Sequence, residues 1–410
     1  MFPGKDPFLA ASLDISRYEN IESRKFRAER YSIYIYFGCE AAERKYMMNL
    51  RKPIIASSLL IILAVLAAPP VTHAQTTGVI APTLSISCNP GTVAVNQATQ
   101  CTASVTSPAP PSPSGTISFS STSSGTFVAT GCTFSPPGPG TCTFGGNSCG
   151  FTSGISSTTI SCSVSYEPNP GSEGTHSIIA TYSGDSVFIP GAIEFSLTVT
   201  KRSSFFQITC TPSMLAVNQP TICSGTVSDT SPGTPLIPTG TVTWQSSGAG
   251  TFSSASCMLN PISSSASSCS VTYTPSPGSE GTGIAVHGIL GTYAGDTDHT
   301  GSAEDESLTI TRRSTSTSVF CTWGTKCTAT VSDTSPGTPL IPTGTVTWSS
   351  TASGAAFKPS SCTISGSGST ASCTVTYSPG PGPKNSQTVT ATYRGDTDHF
   401  GSSGTTTLFA

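Results

Sequence analysis

Three acidic turns are the first places where the residue types could do chemistry. Gly184-Asp185-Ser186 spells the opening of a Gly-Asp-Ser esterase motif, in which the hydroxyl would be the nucleophile. Asp296, Asp298 and His299, and again Asp396, Asp398 and His399, gather ligands suited to a calcium corner. Arg394-Gly395-Asp396 spells the tripeptide read by integrin-type receptors. Aligning the turns weakens each reading. The other copies have Thr297 and Thr397 where the first has Ser186, and no distal Asp-x-x-His block follows. The first copy has Val187 and Phe188 where the others have an aspartate and a histidine, and calcium takes about six to eight oxygens. The arginine position is Ser183 or Ala294 elsewhere. A turn whose aspartate accepts hydrogen bonds from nearby backbone amides accounts for all three copies. No catalytic residue, cofactor site or metal site is assigned.

The constant part of the turns is a frame. Tyr182, Gly184 and Asp185 recur as Tyr293, Gly295 and Asp296, and as Tyr393, Gly395 and Asp396. Each follows a strand with period-2 alternation: Ile178, Ala180 and Tyr182 on one face, then Ile289, Gly291 and Tyr293, then Val389, Ala391 and Tyr393. The small central residue implies close approach of an opposite sheet. Upstream, Val242 and Trp244 alternate with Thr241 and Thr243 in the same way. About seven short strands per unit, separated by turn signals, give an all-β chain of three tandem immunoglobulin-like β-sandwiches. The expected domains are 83–200, 204–311 and 315–410. Trp244 and Trp348 are expected as core anchors, whereas Trp323, in a tight loop between cysteines, is the aromatic expected at the surface. His176 and His287, with Gln387 in the third copy, read as strand-end positions.

Composition agrees with this class. Charged residues are 10% and hydrophobic residues 36% of the chain, which is too apolar for a disordered polypeptide. From Gln75 onward eight basic residues face fourteen acidic ones, a net of −6. Without clustered Lys and Arg, nucleic acid is excluded as a partner. The partners that fit are cell-surface or matrix components, protein or glycan.

Cysteines follow the units. Cys39 stands alone; the first unit holds Cys88, Cys101, Cys132, Cys142, Cys149 and Cys162. The second holds Cys210, Cys223, Cys257 and Cys269, and the third Cys321, Cys327, Cys362 and Cys373. Even counts without Cys-x-x-Cys pairs indicate disulfides and an oxidising compartment rather than zinc. Four cysteines allow three pairings, but the short Cys321–Cys327 segment favours sequence neighbours: Cys88–Cys101, Cys210–Cys223, Cys257–Cys269, Cys321–Cys327 and Cys362–Cys373. In the first unit the same logic gives Cys132–Cys162, with Cys142–Cys149 as an inserted pair.

Residues 47–74 have the layout of a secretory signal: basic Arg51 and Lys52, an apolar run Ile54–Ala68, and small residues ahead of Gln75. An uncleaved signal-anchor is the alternative and would be the one route to a membrane. The charged 1–46 segment reads as an upstream extension or a cytoplasmic tail.

Pro-Thr-Gly-Thr-Val-Thr-Trp, at Pro238–Trp244 and Pro342–Trp348, pairs with the Gly-Thr-His-Ser-Ile-Ile-Ala-Thr-Tyr-Ser-Gly-Asp sequence of Gly174–Asp185. Together these resemble prokaryotic Ig-like domain repeats of the bacterial Ig-like group 3 type, over about 83–410. The resemblance implies a secreted or cell-surface stalk, spacer or adhesive module, with a carbohydrate-binding protein using sandwich-end loops as the alternative. The cysteines depart from many such repeats. They also depart from antibody domains, whose bridge reaches the penultimate strand. Thr226–Trp244 recurs identically at Thr330–Trp348, which reads as a recent duplication. The junctions Lys201-Arg202 and Arg312-Arg313 read as short, solvated linkers.

Overall fold

A computed structural model describes residues 80–409, apart from 109–110, 136, 138–139, 153–156, 323–325 and 381–385, together with 13–17, 30–35 and 46–51. Two compact units, Met1–Gly78 and Val79–Ala410, are present. The first contributes a three-stranded antiparallel sheet of Leu13–Arg17, Arg30–Ile35 and Tyr46–Arg51. The apolar run of the expected signal, Cys39 and Trp323 lie outside the described residues. Among the described residues no helix is long and apolar enough to cross a membrane.

The second unit is all-β and contains three sandwiches in tandem. In the first, Thr83–Asn89, Thr99–Thr106, Thr159–Pro168 and Gly125–Ser135 form one sheet in that spatial order. The facing sheet runs Thr92–Ala94, Gly191–Thr200, Gly174–Tyr182, Gly115–Ser121, Ser148–Phe151, Cys142–Gly145. The second sandwich pairs Ser204–Thr211, Thr221–Asp229, Ala266–Pro275 and Gly250–Phe252 against Met214–Ala216, Ser302–Thr311, Ile284–Tyr293, Thr241–Ser246 and Ser256–Met258. The third pairs Thr315–Thr322, Lys326–Asp333, Thr370–Ser378 and Ala356–Lys358 against Ser361–Thr363, Thr345–Ser350, Gln387–Gly395 and Phe400–Leu408. Strands exceed seven per domain because a short parallel strand (Thr92–Ala94 or Met214–Ala216) breaks off the first one. The cysteine-bearing segments add further short pairs.

Alternation decides which side chains fill each core. Val242 and Trp244 are buried while Thr241 and Thr243 are exposed. Tyr182, Tyr293 and Tyr393 are each almost wholly buried. At Gly291 a β-carbon would come within 3 Å of Phe206 and Ile208 on the opposite sheet, so the glycine is what lets the sheets close there. The outward faces carry hydroxyls in cross-strand pairs, such as Ser104 with Ser161 at 2.7 Å and Thr328 with Thr374 at 2.9 Å. His176 and His287 are buried rather than frayed at a strand end. Their Nδ1 atoms meet the hydroxyls of Tyr166 and Tyr273 at 2.8 Å, and Gln387 Oε1 accepts from Tyr377 at 2.6 Å in the same place.

Seven disulfides staple the sandwiches. Cys88–Cys101, Cys210–Cys223 and Cys321–Cys327 join the first strand to its neighbour; Cys257–Cys269 and Cys362–Cys373 cross between sheets. The first domain corrects the pairing expected from its sequence: its remaining bridges are Cys132–Cys142 and Cys149–Cys162. Register gives the reason. Cys149 stands opposite Ile117 as Cys257 stands opposite Val242 and Cys362 opposite Val346, so Cys149 is the counterpart of the third cysteine in the other units. The inserted pair is therefore the one that precedes it. Trp244 and Trp348 lie against the inter-sheet bridges, their Nε1–H directed at Cys257 Sγ (3.2 Å) and Cys362 Sγ (3.3 Å).

Candidate functional site at the domain junctions

The repeated turn is a closed hydrogen-bond knot. Asp296 Oδ1 accepts from the amides of Asp298 (2.9 Å) and His299 (2.7 Å) and faces His299 Nδ1 at 2.9 Å. Its Oδ2 accepts from the amide and hydroxyl of Thr239 at 2.8 and 2.9 Å. Asp396 repeats this with Asp398, His399 and Thr343, and Asp185 uses Val187, Phe188 and Ser114. Burial would raise the Asp296 carboxyl, but the hydrogen bonds from Thr239 and His299 outweigh it and lower the pKa to about 2. Gly184, Gly295 and Gly395 sit at φ +74°, +90° and +88°, a region that disfavours side chains. Asp396 already holds its own turn, so Arg394-Gly395-Asp396 does not offer a free carboxylate to a receptor.

The cations expected to be solvated are the centre of the site. Arg202 is fully buried between the first and second domains. Its Nε donates to Asp229 Oδ2 at 2.6 Å, Nη1 to the Val95 carbonyl at 2.8 Å, and Nη2 to the Ser231 carbonyl at 3.0 Å. Arg313 repeats the set at the next junction with Asp333 (2.6 Å), Val217 (2.7 Å) and Ser335 (3.0 Å). Each arginine thus binds a backbone carbonyl of the preceding domain and an aspartate of the following one. For Asp229, burial raises the carboxyl, but hydrogen bonds from Arg202 and from the Leu236 and Ser231 amides hold it below the usual range.

Around each arginine the domains exchange further bonds. Asn96 donates its side-chain amide to the Thr234 carbonyl (3.0 Å), and the Thr234 amide donates to the Asn96 carbonyl (3.1 Å). Asn218 and Thr338 do the same at 3.0 and 3.3 Å. Asn96 and Asn218 hold φ of +59° and +58°, a conformation asparagine tolerates better than most residues. Gly233 and Gly337 lie so close to these asparagines that a β-carbon would stand 2.6 and 2.8 Å from their carbonyl oxygens. Asp298 and Asp398 accept from the Gly171 and Gly278 amides of the preceding domain, the latter at 2.6 Å. His299 and His399 are buried, each with Nε2 within 4 Å of the arginine-bound aspartate.

The identical stretches Thr226–Trp244 and Thr330–Trp348 acquire a physical reason here. They contain the aspartate, serine, glycine and threonine that receive the preceding domain. The Thr-Asp-His sequence is shared by the second and third turns because both lie at such a junction. At the matching strand bridge the first domain places Ile80 beside Phe188, where the others place arginine beside histidine. The third domain has no counterpart of Val217 and Asn218: Cys321 and Cys327 are 6 residues apart, against 13 for Cys210 and Cys223. Sequence reading missed the arginines; the signal that could have found them is the co-occurrence of Arg, Asp229-type and Asp-His residues in units two and three only.

No family model matches the chain, and no curated protein matches it. Among solved structures it is similar to the Escherichia coli adhesin FdeC, at 13% identity over 80% of this chain and 96% of that one, with a TM-score of 0.25. It is also similar to invasin, a bacterial integrin-binding protein (11% identity, 76% of this chain and 56% of that one, TM-score 0.34). A third is the Yersinia pseudotuberculosis adhesin InvE (10% identity, 55% and 58% coverage, TM-score 0.25). The chain spans just over half the length of the last two.

Proposed function

We propose that this chain is an exported, non-enzymatic spacer or adhesive module at the cell surface, with domains at 83–200, 204–311 and 315–410 behind a signal at 47–74. The observation that carries the reading is the junction built twice over: Arg202 and Arg313 each tie two domains through buried, charge-assisted hydrogen bonds. Short junctions with this many fixed contacts hold neighbouring domains at one angle, which suits a protein whose work is reach. Seven disulfides support an oxidising, extracellular setting. The turn residues are engaged in holding the fold and its junctions, so they support neither catalysis nor ligand capture by those loops.

Small-angle scattering on the exported chain tests the reading. The wild type is expected to show one extended, stiff profile, and R202Q/R313Q a broader and more compact distribution. Identical profiles would remove the basis for a stiff spacer. Whole-cell and glycan-array binding by the same chain separates a passive spacer from an adhesive module.

A further inference from the structure

The two junctions differ at one acidic side chain. Glu280 is fully buried, and neither carboxylate oxygen meets a hydrogen-bond partner among the described residues. Glu173, in the same Pro-Gly-Ser-Glu-Gly-Thr sequence of the first domain, is exposed. The second copy carries four extra residues, Gly283–Val286, before its histidine. The longer loop is tied to the third domain by the Gly278 amide on Asp398 Oδ1 (2.6 Å), and to the linker by the Arg312 amide on the Gly283 carbonyl (3.4 Å).

The charges acting on Glu280 come from two places. Asp396 and Asp398 belong to the third domain's turn, and Arg312 to the linker. His287, on its own domain's strand, meets the Ser279 carbonyl through Nε2 at 3.3 Å. Arg312 does not rescue the carboxylate: its Nε is buried and also without a partner. At the first junction Lys201, in the equivalent position, instead donates to the Asp296 carbonyl.

We infer that Glu280 is protonated when the 276–283 loop is docked, so that closing the second junction is a proton-linked step that the first junction lacks. An ionised carboxylate without donors is expelled toward water, while a neutral one tolerates the site. Burial pushes Glu280 up and outweighs the pull of its own backbone amide; Asp398 and Asp396 push in the same direction as burial, and Arg312 opposes them. A raised folded-state value means the docked loop is fully favoured below the ordinary carboxylate range. It loses ground as pH rises through the raised value. Asp396 and Asp333 are held low and stay ionised across that window. His399 is raised and acts with the same sign, so the test must separate the two.

Hydrogen exchange on the full exported chain, corrected for intrinsic rates and compared between about pH 4 and about pH 8, does so. Protection of 276–283 is expected to fall by up to roughly tenfold per pH unit between the ordinary carboxylate value and the raised one, and to level off above it. Protection of 169–174 should not follow. E280Q should keep 276–283 protected at both ends of the range. Infrared difference spectra of the wild type provide a second reading: a carboxylic-acid carbonyl band lost on raising pH and missing in E280Q. A loop whose protection ignores pH, a drop that survives in E280Q, or an absent band would each overturn the inference.

Discussion

Arg202 Nε and Asp229 Oδ2 meet at 2.6 Å with both side chains closed to solvent, and Arg313 and Asp333 repeat the pair at the same distance. Removing one member leaves the other buried and uncompensated, at a cost of about 3–5 kcal/mol. R202M should therefore lower the melting point of the second domain steeply, at about 4–8 °C per kcal/mol for a domain of this size. R202M/D229N should recover much of that loss while leaving the junction loose. Calorimetry reads the first effect and scattering the second. If R202M melted like the wild type, the pair would be a bystander.

The turn carboxylates make a second prediction. Asp296, at about 2, binds protons less readily folded than unfolded. Its contribution is present above the ordinary carboxylate value and is lost as pH falls toward 2. D296N leaves the Thr239 amide facing an NH2 group rather than an acceptor, which costs about 1–3 kcal/mol. It should also flatten the acid limb of the second domain's stability curve. An unchanged acid limb in D296N would show that other carboxylates set it.

How much of this the sequence disclosed depends on the range over which each residue is satisfied. The tyrosine–glycine–aspartate turns and the alternating strands are legible because strand period and turn chemistry act over a few residues. Arg202 was not, because a dibasic step beside serine looks solvated until Asp229 and Val95, distant in sequence, are brought to it. The cysteine pairing of the first domain failed for a related reason. Order along the chain does not say on which side of Cys149 an insertion lies; the register of Cys149 opposite Ile117 does.

The chain contains its own control for the buried histidines. Tyr377 is satisfied by Gln387 where Tyr273 is satisfied by His287. H287Q should therefore fold with a loss below about 0.5 kcal/mol, whereas H287L takes the 2.8 Å partner from the Tyr273 hydroxyl, leaving it Ser246 and a long contact to the Gly248 carbonyl, and costs about 0.5–1.5 kcal/mol. Chemical denaturation of the two variants, side by side, checks the ordering. Equal losses would mean the ring's shape matters and its nitrogen does not.

Non-reducing peptide mapping should recover Cys132–Cys142 and Cys149–Cys162 alongside the five other bridges. Closing loops of 10 to 13 residues, these contribute about 3 kcal/mol each in the chain-entropy model. Reduction should also brighten tryptophan emission, because the Trp244 and Trp348 indoles lie against bridge sulfurs that quench by electron transfer. C257S/C269S, which removes the Trp244 partner, should raise the emission before any reductant is added. A Cys132–Cys162 peptide would refute the register assignment.

His399 supplies the last prediction. Burial alone would lower its pKa, but its bond to Asp396 and the charges of Asp396 and Asp333 outweigh burial and the opposing Arg313, so the value is raised. A raised histidine adds stability that is complete below the ordinary imidazole value and is lost as pH rises through the folded one. The third domain should thus soften between near-neutral and mildly alkaline pH. H399F, which installs the residue type found at Phe188 in the first domain, should remove that dependence. It should also cost stability at low pH, since Asp396 loses a partner that Asp185 never had. Following the third domain's unfolding midpoint across that range in both proteins decides the point: parallel curves would mean the imidazole does not titrate there.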